Sequence, residues 1–281
     1  MSGRSGVQPP RPTQARSEAG SDRDRFATAD REPLAEGVPL TYIPKNTLAM
    51  APDLVMLSQP RSVHAERFRR LTTTLIHRHG GSAQVIGITS GLPGEGKSTV
   101  AANLALAFAG ASNEKTLLVD ADLRRPRVAA LLQSEPKFGL SEVLAGRVAA
   151  EHAILRLEGS SLEVLPGGKR VEGPLELLTS KTAKDLVSEL RRSYRRIVID
   201  TPPIILFSDA DAIGALSDGL IVVVRAGSTP KSAFADQLAA ITSARILGVV
   251  LNCATASFAD RGAYRDSYYY HEYYNEERRK R

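Results

Sequence analysis

The stretch that decides the fold runs from residue 83 to residue 108 and reads AQVIGITSGLPGEGKSTVAANLALAF. Its first part, Val85 to Thr89, is an apolar run rich in β-branched residues, which predicts a fully buried strand. Its last part, Thr99 to Phe108, is an unbroken run rich in Ala and Leu, which predicts a helix buried nearly all round. A strand, a glycine-rich turn and a helix in this order predict a parallel α/β architecture.

The turn between this strand and this helix satisfies the spacing G-x-x-x-x-G-K-[S/T] from Gly91 to Ser98. Its glycines allow backbone conformations in which successive N–H groups point at phosphate oxygens, and the helix start adds positive potential there. Lys97 supplies a mobile cation and Ser98 a hydroxyl for Mg²⁺. A plain glycine-rich turn is the alternative, and the flanking strand and helix argue against it. The predicted nucleotide-contacting residues are Gly91, Gly94, Glu95, Gly96, Lys97, Ser98 and Thr99.

Two further predicted strands end in aspartates. One runs from Thr116 to Asp120 and is followed by Asp122, and the other runs from Arg196 to Asp200. The carboxyl ends of parallel strands are where α/β proteins collect ligand groups. Phosphoryl transfer needs bound phosphates, a divalent metal and a group that orients or deprotonates the attacking oxygen, for which Asp120 is the first choice. The predicted catalytic residues are Lys97, Asp120, Asp122 and Asp200, and the predicted metal ligands are Ser98, Asp122 and Asp200.

Two more apolar runs, Gly219–Arg225 and Ile246–Asn252, predict strands separated by a helix from residue 230 to about residue 243. Strands that alternate with helices indicate a parallel sheet covered on both faces. The predicted fold class is therefore α/β, a P-loop NTPase with a mostly parallel β-sheet. Asp209 and Asp211 lie at a predicted helix start, where capping is the simplest role for them.

Composition divides the chain into three parts. Residues 1–60 begin with a polar, charged segment with few large apolar residues and continue with a stretch broken by prolines, so we predict a disordered N-terminal arm. Residues 61–255 carry all the motifs and are predicted to form the P-loop domain. Residues 256–281 hold six of the eight tyrosines in an otherwise polar segment, which predicts a flexible tyrosine-rich tail.

Charge and cysteine content exclude several classes of protein. The formal net charge of +6 over 281 residues is moderate and mixed in sign, so it gives no argument for nucleic acid as a partner. A single cysteine excludes a disulfide framework and fits a reducing cytoplasm. The five histidines are scattered and have no cysteine at ligand spacing, so we expect no structural metal site. No apolar stretch is long enough to span a bilayer, so we expect any membrane association to come through a partner.

The ordered set of motifs resembles the bacterial tyrosine kinases (BY-kinases) of capsular and exopolysaccharide biosynthesis. The resemblance depends on residues 93–99 (PGEGKST), residues 117–126 (LLVDADLRRP), residues 197–203 (IVIDTPP) and the terminal tyrosine cluster. It implies that Lys97 and Ser98 bind the phosphates of ATP and Mg²⁺, and that Asn252 contacts adenine. It also implies that Asp120 and Asp122 are the carboxylates of the Walker A′ motif and that Asp200 is the carboxylate of the Walker B motif. A free-standing cytoplasmic kinase, held at the inner face of the membrane by its partner, is expected.

The resemblance further implies how such a kinase assembles and what it modifies. A transmembrane polysaccharide co-polymerase activates it, a ring-shaped homo-oligomer forms, tail tyrosines are phosphorylated in trans, and a protein-tyrosine phosphatase opposes it. The oligomerisation pattern E-x-x-R-x-x-R is matched by Glu66 and Arg69 but has Thr72 in third position, with Arg70 as a possible substitute. The expected phosphoacceptors are Tyr264, Tyr268, Tyr269, Tyr270, Tyr273 and Tyr274.

Two alternatives stay open from the sequence. Partition and septum-positioning ATPases share the fold, but they carry a lysine directly after the first glycine of the loop, where this chain has Leu92, and they lack a tyrosine-rich tail. A regulatory scaffold that binds nucleotide without turnover is the second alternative, and the intact set of acidic and basic residues argues against it. The H-R-D, D-F-G and V-A-I-K signatures of the other large kinase class are absent.

Overall fold

The computed structural model describes residues 42–44, 51–78, 84–111, 115–205, 208–239 and 241–254. The strands are β1 (Tyr42–Ile43), β2 (Val85–Ser90), β3 (Thr116–Asp120), β4 (Leu155–Leu157), β5 (Leu162–Leu165), β6 (Arg196–Asp200), β7 (Gly219–Arg225) and β8 (Ile246–Asn252). The helices are α1 (Val55–Ser58), α2 (Val63–Arg78), α3 (Lys97–Ala111), α4 (Val128–Leu131), α5 (Leu140–Leu144), α6 (Ala150–Ala153), α7 (Leu175–Thr179), α8 (Lys181–Ser193), α9 (Asp209–Leu216) and α10 (Lys231–Ala239).

The eight strands form one sheet in the order β1-β4-β5-β3-β6-β2-β7-β8. All neighbouring pairs are parallel except β4 and β5, which are antiparallel. The central strands β3, β6 and β2 therefore end at the same edge, and Asp120 is directly opposite Asp200 in the register of β3 and β6. The predicted α/β fold with a mostly parallel sheet is confirmed.

Side chains of the central strands alternate between two hydrophobic cores, one on each face of the sheet. Ile86, Leu118 and Val198 pack on one face with residues of α2 and α3. Val119 and Ile199 pack on the other face with residues of α5, α7, α8 and α9. Because strand side chains point alternately to opposite faces, a strand that is buried on both faces must be apolar throughout. This explains the continuous apolar runs in the sequence.

The folded part of the chain starts earlier than the sequence indicates. In the described residues before position 61, Ile43 on β1 is 3% exposed and Leu54 is fully buried. Leu54 begins the α1 turn, and β1 pairs with β4 at the edge of the sheet. The prediction of disorder up to residue 60 is therefore wrong for residues 42–44 and 51–60. Apolar side chains separated by prolines can still pack singly against a core without showing any periodicity.

Helix α2 packs its apolar side chains against α3 and the sheet. Leu75 is buried, Phe68 and Leu71 pack partly buried against the same core, and Ile76 is exposed. No helix among the described residues has the length and hydropathy needed to cross a membrane.

Candidate functional site

The phosphate loop connects the end of β2 at Ser90 to the start of α3 at Lys97. Gly94 and Gly96 have φ angles of +83° and +90°, a region that favours glycine. Within the described part of the chain, no acceptor takes a hydrogen bond from the backbone N–H groups of residues 94–99. Unpaired N–H groups at the start of a long helix form a site for an anion such as a phosphate group. This geometry is what the sequence predicts for the loop.

Asn252, at the end of β8, holds the phosphate loop from the side. Its amide nitrogen donates to the carbonyl oxygen of Glu95 at 2.9 Å. A Cβ atom at Gly96 would lie 2.1 Å from that same nitrogen, so a side chain there cannot fit without displacing Asn252. The structure thus places Asn252 against the backbone of the phosphate loop, and its contact with adenine stays a prediction.

The Glu95 side chain has a role that the sequence does not reveal. Its carboxylate is buried and accepts hydrogen bonds from the backbone N–H of Leu92 at 2.8 Å and from the hydroxyl of Thr229. The backbone N–H of Arg225 donates to it as well, at 3.3 Å. Glu95 therefore ties the phosphate loop to the segment after β7.

Lys97 lies between two of the predicted carboxylates. Its ammonium nitrogen donates to Asp122 Oδ2 at 2.9 Å and lies 4.0 Å from Asp200 Oδ1. Burial alone would lower the pKa of Lys97, but attraction to Asp200 and Asp122 outweighs this and raises its pKa. Lys97 is therefore a firmly charged cation at the mouth of the phosphate loop, where the outer phosphates of a nucleotide would lie.

Asp200 is fully buried, and neither of its carboxylate oxygens has a hydrogen-bond partner among the described residues. Burial raises the pKa of this group to about 6, while Lys97 and the nearby hydroxyl of Ser98 lower it and Asp122 raises it. Such an orphaned carboxylate next to a hydroxyl fits Mg²⁺, which takes few protein oxygens and fills its octahedron with water and phosphate oxygens. The described residues contain no cluster of three or more His, Cys, Asp or Glu suited to a metal ion.

Asp120 is held differently from the other two carboxylates. Its Oδ2 accepts hydrogen bonds from the backbone N–H groups of Arg127 and Val128, both at 2.9 Å, and its Oδ1 accepts one from the N–H of Asp122. Burial and the neighbouring Asp200 raise the pKa of Asp120 to about 8, against the effect of the two backbone donors. Asp120 is fully buried and fixes the loop between β3 and α4.

An open cavity of about 910 Å³ lies over the phosphate loop. Of the three predicted carboxylates, only Asp122 lines it. Four arginines that the sequence analysis does not assign to the site also line it: Arg124, Arg125, Arg127 and Arg170. The signal for three of them is present in the sequence as the run Arg-Arg-Pro-Arg at positions 124–127, immediately after the acidic strand end.

Arg124 has a structural partner. Its guanidinium forms an ion pair with the buried carboxylate of Asp209, with Nε–Oδ2 at 2.7 Å. Asp211 instead accepts hydrogen bonds from Thr242 and Ser243, and Ser208 occupies the position before α9. The interpretation of Asp209 and Asp211 as helix caps is therefore wrong, since both carboxylates bind partners on other segments.

The predicted oligomerisation residues lie on α2. Arg69 Nη1 and Glu66 Oε2 are 3.0 Å apart, so these two residues pair with each other within the helix. Thr72 is 2% exposed and donates its hydroxyl proton to the carbonyl of Arg69 at 2.7 Å, which turns this position inward. Arg70 lies on the same helix. The six predicted phosphoacceptor tyrosines lie outside the described residues.

Comparison with known sequences supports a kinase site. The AAA domain family model matches residues 83–243. The chain is 36% identical over 209 residues to the tyrosine-protein kinase YwqD of Bacillus subtilis, a match covering 72% of this chain and 86% of YwqD. It is 37% identical to the tyrosine-protein kinase CpsD of Streptococcus pneumoniae, covering 67% of this chain and 84% of CpsD. It is also 35% identical to the succinoglycan biosynthesis transport protein ExoP of Rhizobium meliloti, covering 70% of this chain and 26% of ExoP.

Solved structures lead to the same conclusion. The chimerical protein CapA2B2 superposes with a TM-score of 0.68 at 34% identity, covering 76% of this chain and 94% of that protein. The septum site-determining protein MinD of Pyrococcus horikoshii, solved with Mg-ADP, gives a TM-score of 0.50 at 26% identity and covers 60% of this chain and 69% of MinD. The MinD structure, which represents the septum-positioning alternative, thus covers less of this chain and superposes on it with a lower TM-score. The chain belongs to the bacterial tyrosine kinases, the family of protein-tyrosine kinases built on a P-loop fold.

Proposed function

We propose that this chain is an ATP-dependent protein-tyrosine autokinase that phosphorylates its own C-terminal tyrosines in trans and regulates exopolysaccharide polymerisation or export. The observation that carries the proposal is the close grouping of Lys97, Asp122 and Asp200 beside a phosphate loop, in a chain that also carries a tyrosine cluster. The oxygens of Asp200 accept no hydrogen bond from the described residues. The proposed acceptors are Tyr264, Tyr268, Tyr269, Tyr270, Tyr273 and Tyr274.

The proposed reaction is a direct transfer of the γ-phosphoryl group. The phenolic oxygen forms a bond to the γ-phosphorus, the bond from that phosphorus to the bridging oxygen breaks, and ADP leaves. Asp122, the one predicted carboxylate that lines the cavity, accepts the phenolic proton, while Lys97 offsets charge on the outer phosphates. Asp200 and Ser98 would hold Mg²⁺, which supplies further neutralisation of phosphate charge when bound.

Asp120 acts in this scheme as a positioning residue. It lies beneath the cavity, and the hydrogen bonds it accepts from Arg127 and Val128 fold the loop that carries Asp122. A proton acceptor must reach the phenol directly or through one water, and Asp120 is fully buried and does not line the cavity, whereas Asp122 does. We therefore move the role of proton acceptor from Asp120 to Asp122.

The proposed setting follows the relatives. ExoP is named as a transport protein of succinoglycan biosynthesis, and the chain matches 26% of its length. This supports a transmembrane polysaccharide co-polymerase as the activating partner, with the kinase at the inner face of the cell membrane. We further propose that α2 contributes Glu66, Arg69 and Arg70 to contacts in a ring-shaped homo-oligomer, and that a protein-tyrosine phosphatase reverses the modification.

The test is phosphotyrosine mapping by mass spectrometry on the purified chain incubated with ATP and Mg²⁺, with and without the cytoplasmic segment of a co-polymerase. Label on the tail is expected, and Lys97→Met should abolish it because the cation at the outer phosphates is lost. A variant with all six tail tyrosines changed to Phe should bind ATP normally and lose most label. ATP hydrolysis without any phosphotyrosine would instead establish the ATPase alternative.

A further inference from the structure

We propose that Arg125, Arg127 and Arg170, here called the arginine rim, form a surface that recognises acidic peptides and selects tyrosines flanked by carboxylates. This inference rests on the proposed kinase function and names the substrate class that the same site takes. The three side chains are exposed and line the cavity above the phosphate loop, beside Lys97 and Asp122.

The charges around the cavity favour a negatively charged ligand. Five cationic side chains line it, against the two carboxylates of Asp122 and Glu172. Asp122 is already paired with Lys97, and Arg124 is paired with Asp209 outside the cavity lining. No described residue forms an ion pair with the three rim arginines, which are exposed and line the open cavity. Arginine binds carboxylates in a bidentate geometry, which suits it to such recognition.

The backbone of the rim is fixed by the predicted catalytic carboxylates. The N–H of Arg125 donates to Asp122 Oδ1 at 3.1 Å, and the N–H of Arg127 donates to Asp120 Oδ2 at 2.9 Å. Arg170 lies between two anchored residues, since the N–H of Val171 donates to the carbonyl of Leu123 at 3.0 Å and that of Lys169 to Glu142. A surface held this way loses less entropy on binding, so weak charge contacts can give selectivity.

Within the same chain, residues 264–277 carry four carboxylates and one arginine, and the basic residues 278–281 follow them. Asp266 lies two residues before Tyr268, Glu272 lies directly before Tyr273, and Glu276 and Glu277 follow Tyr274. Each tyrosine of the tail is thus within four residues of a carboxylate. Lys97 and the N–H groups of the phosphate loop would bind the phosphates of a nucleotide, which would leave the rim to bind the peptide.

The test compares two synthetic peptides as substrates of the complete chain. One has the sequence of residues 264–277, and the other carries Asp266→Asn, Glu272→Gln, Glu276→Gln and Glu277→Gln. We expect kcat/KM to be about five- to tenfold higher for the acidic peptide, since several exposed ion pairs each contribute modestly. The preference should shrink at about 0.5 M salt, where exposed charges are screened.

Variants then locate the preference. The double variant Arg127→Gln/Arg170→Gln should lower kcat/KM for the acidic peptide to the value for the neutral one. The kcat/KM for the neutral peptide and the KM for ATP should each stay within about twofold of the values for the parent chain. Arg192 is an exposed arginine on α8 that does not line the cavity. Arg192→Gln is therefore the matched control and should leave kcat/KM for both peptides unchanged.

Equal use of both peptides by the parent chain would overturn the inference. A rim variant that lowers kcat/KM equally for both peptides would also overturn it. If the KM for ATP rises by as much as kcat/KM for the acidic peptide falls, the rim binds the nucleotide instead. If neither peptide is phosphorylated even with the cytoplasmic segment of the co-polymerase present, the proposed kinase function fails. The rim is then judged by fluorescence anisotropy of the two labelled peptides in the presence of ADP, where equal affinities would overturn it.

Discussion

Changing Asp200 to Asn should make the nucleotide-free protein more stable while it destroys activity. The carboxylate is fully buried without a hydrogen-bond donor among the described residues, and its pKa rises from 3.8 to about 6. A pKa raised by this amount corresponds to about 3 kcal/mol of destabilisation at pH 7.5. The Asn amide hydrogens lack acceptors, which costs about 1 kcal/mol. A net gain of about 2 kcal/mol remains.

The pH dependence of this gain has a definite sign. A carboxyl group whose pKa is raised by folding binds more protons in the folded state than in the unfolded state between its two pKa values, so stability falls as pH rises through that window. For Asp200 the window runs from about pH 3.8 to about pH 6, and the raised pKa of Asp120 extends it to about pH 8. The advantage of Asp200→Asn should therefore be about 2 kcal/mol at pH 7.5, fall to about 0.6 kcal/mol at pH 5 and vanish near pH 4.5, and at pH 4 the unpaired Asn amide should leave the variant slightly less stable than the parent.

The measurement is urea and thermal unfolding of both proteins in EDTA-containing buffer without nucleotide. A gain of about 2 kcal/mol should raise Tm by about 4–8 °C. Asp218→Asn is the matched control with the opposite sign. Burial alone would raise the pKa of Asp218, but hydrogen bonds from Arg191 and from the N–H of Val85 outweigh it and lower the pKa, so that variant should be less stable than the parent at pH 7.5. Lower stability of Asp200→Asn at pH 7.5 would refute the reasoning, because it would mean that the carboxylate is satisfied in the folded protein.

Two further substitutions test single contacts, one in the phosphate loop and one just before the start of β6. Gly96→Ala should lower ATP affinity at least tenfold, measured with a fluorescent nucleotide, because its Cβ would lie 2.1 Å from Asn252 Nδ2 at a φ of +90°. Gly110→Ala on α3 is the control, since a Cβ there meets nothing within 4 Å. This variant should bind ATP normally and gain up to about 1 kcal/mol in stability. Tyr194→Phe should cost about 1–2 kcal/mol in urea unfolding, because it removes the hydroxyl that donates to the buried carboxylate of Glu163; unchanged stability would mean that water replaces this donor.

Elements with strong local signals were predictable from the sequence. The runs Val85–Ile88, Leu117–Val119 and Ile197–Ile199 are apolar without interruption, which is typical of strands buried on both faces of a sheet. Their common direction then places all strand-end side chains at one edge. The grouping of Lys97, Asp122 and Asp200 follows from these facts, and the structure brings the three together.

Contacts between distant segments were not predictable in the same way. Glu95 lies in a motif that suggests a surface loop, yet its carboxylate is buried against Thr229, which is 134 residues away in the chain. Arg124 and Asp209 are 85 residues apart, and neither carries a local signal that it has a buried partner. Sequence spacing reports periodicity and turns, whereas such pairings depend on which strand lies beside which in the sheet.

The hydrogen bonds of Asp120 decide how mutations at this site should be interpreted. Asp120 binds the N–H of Arg127 and of Val128, and Asp122 binds that of Arg125, so the carboxylates at the phosphate loop also shape the arginine rim. Removing Asp120 would therefore shift the peptide surface along with the phosphate site. Loss of activity in Asp120→Ala would not identify a proton acceptor. Replacing a proton acceptor changes the pH profile of kcat. Replacing a residue that positions the rim changes the ratio of kcat/KM between the acidic and the neutral peptide.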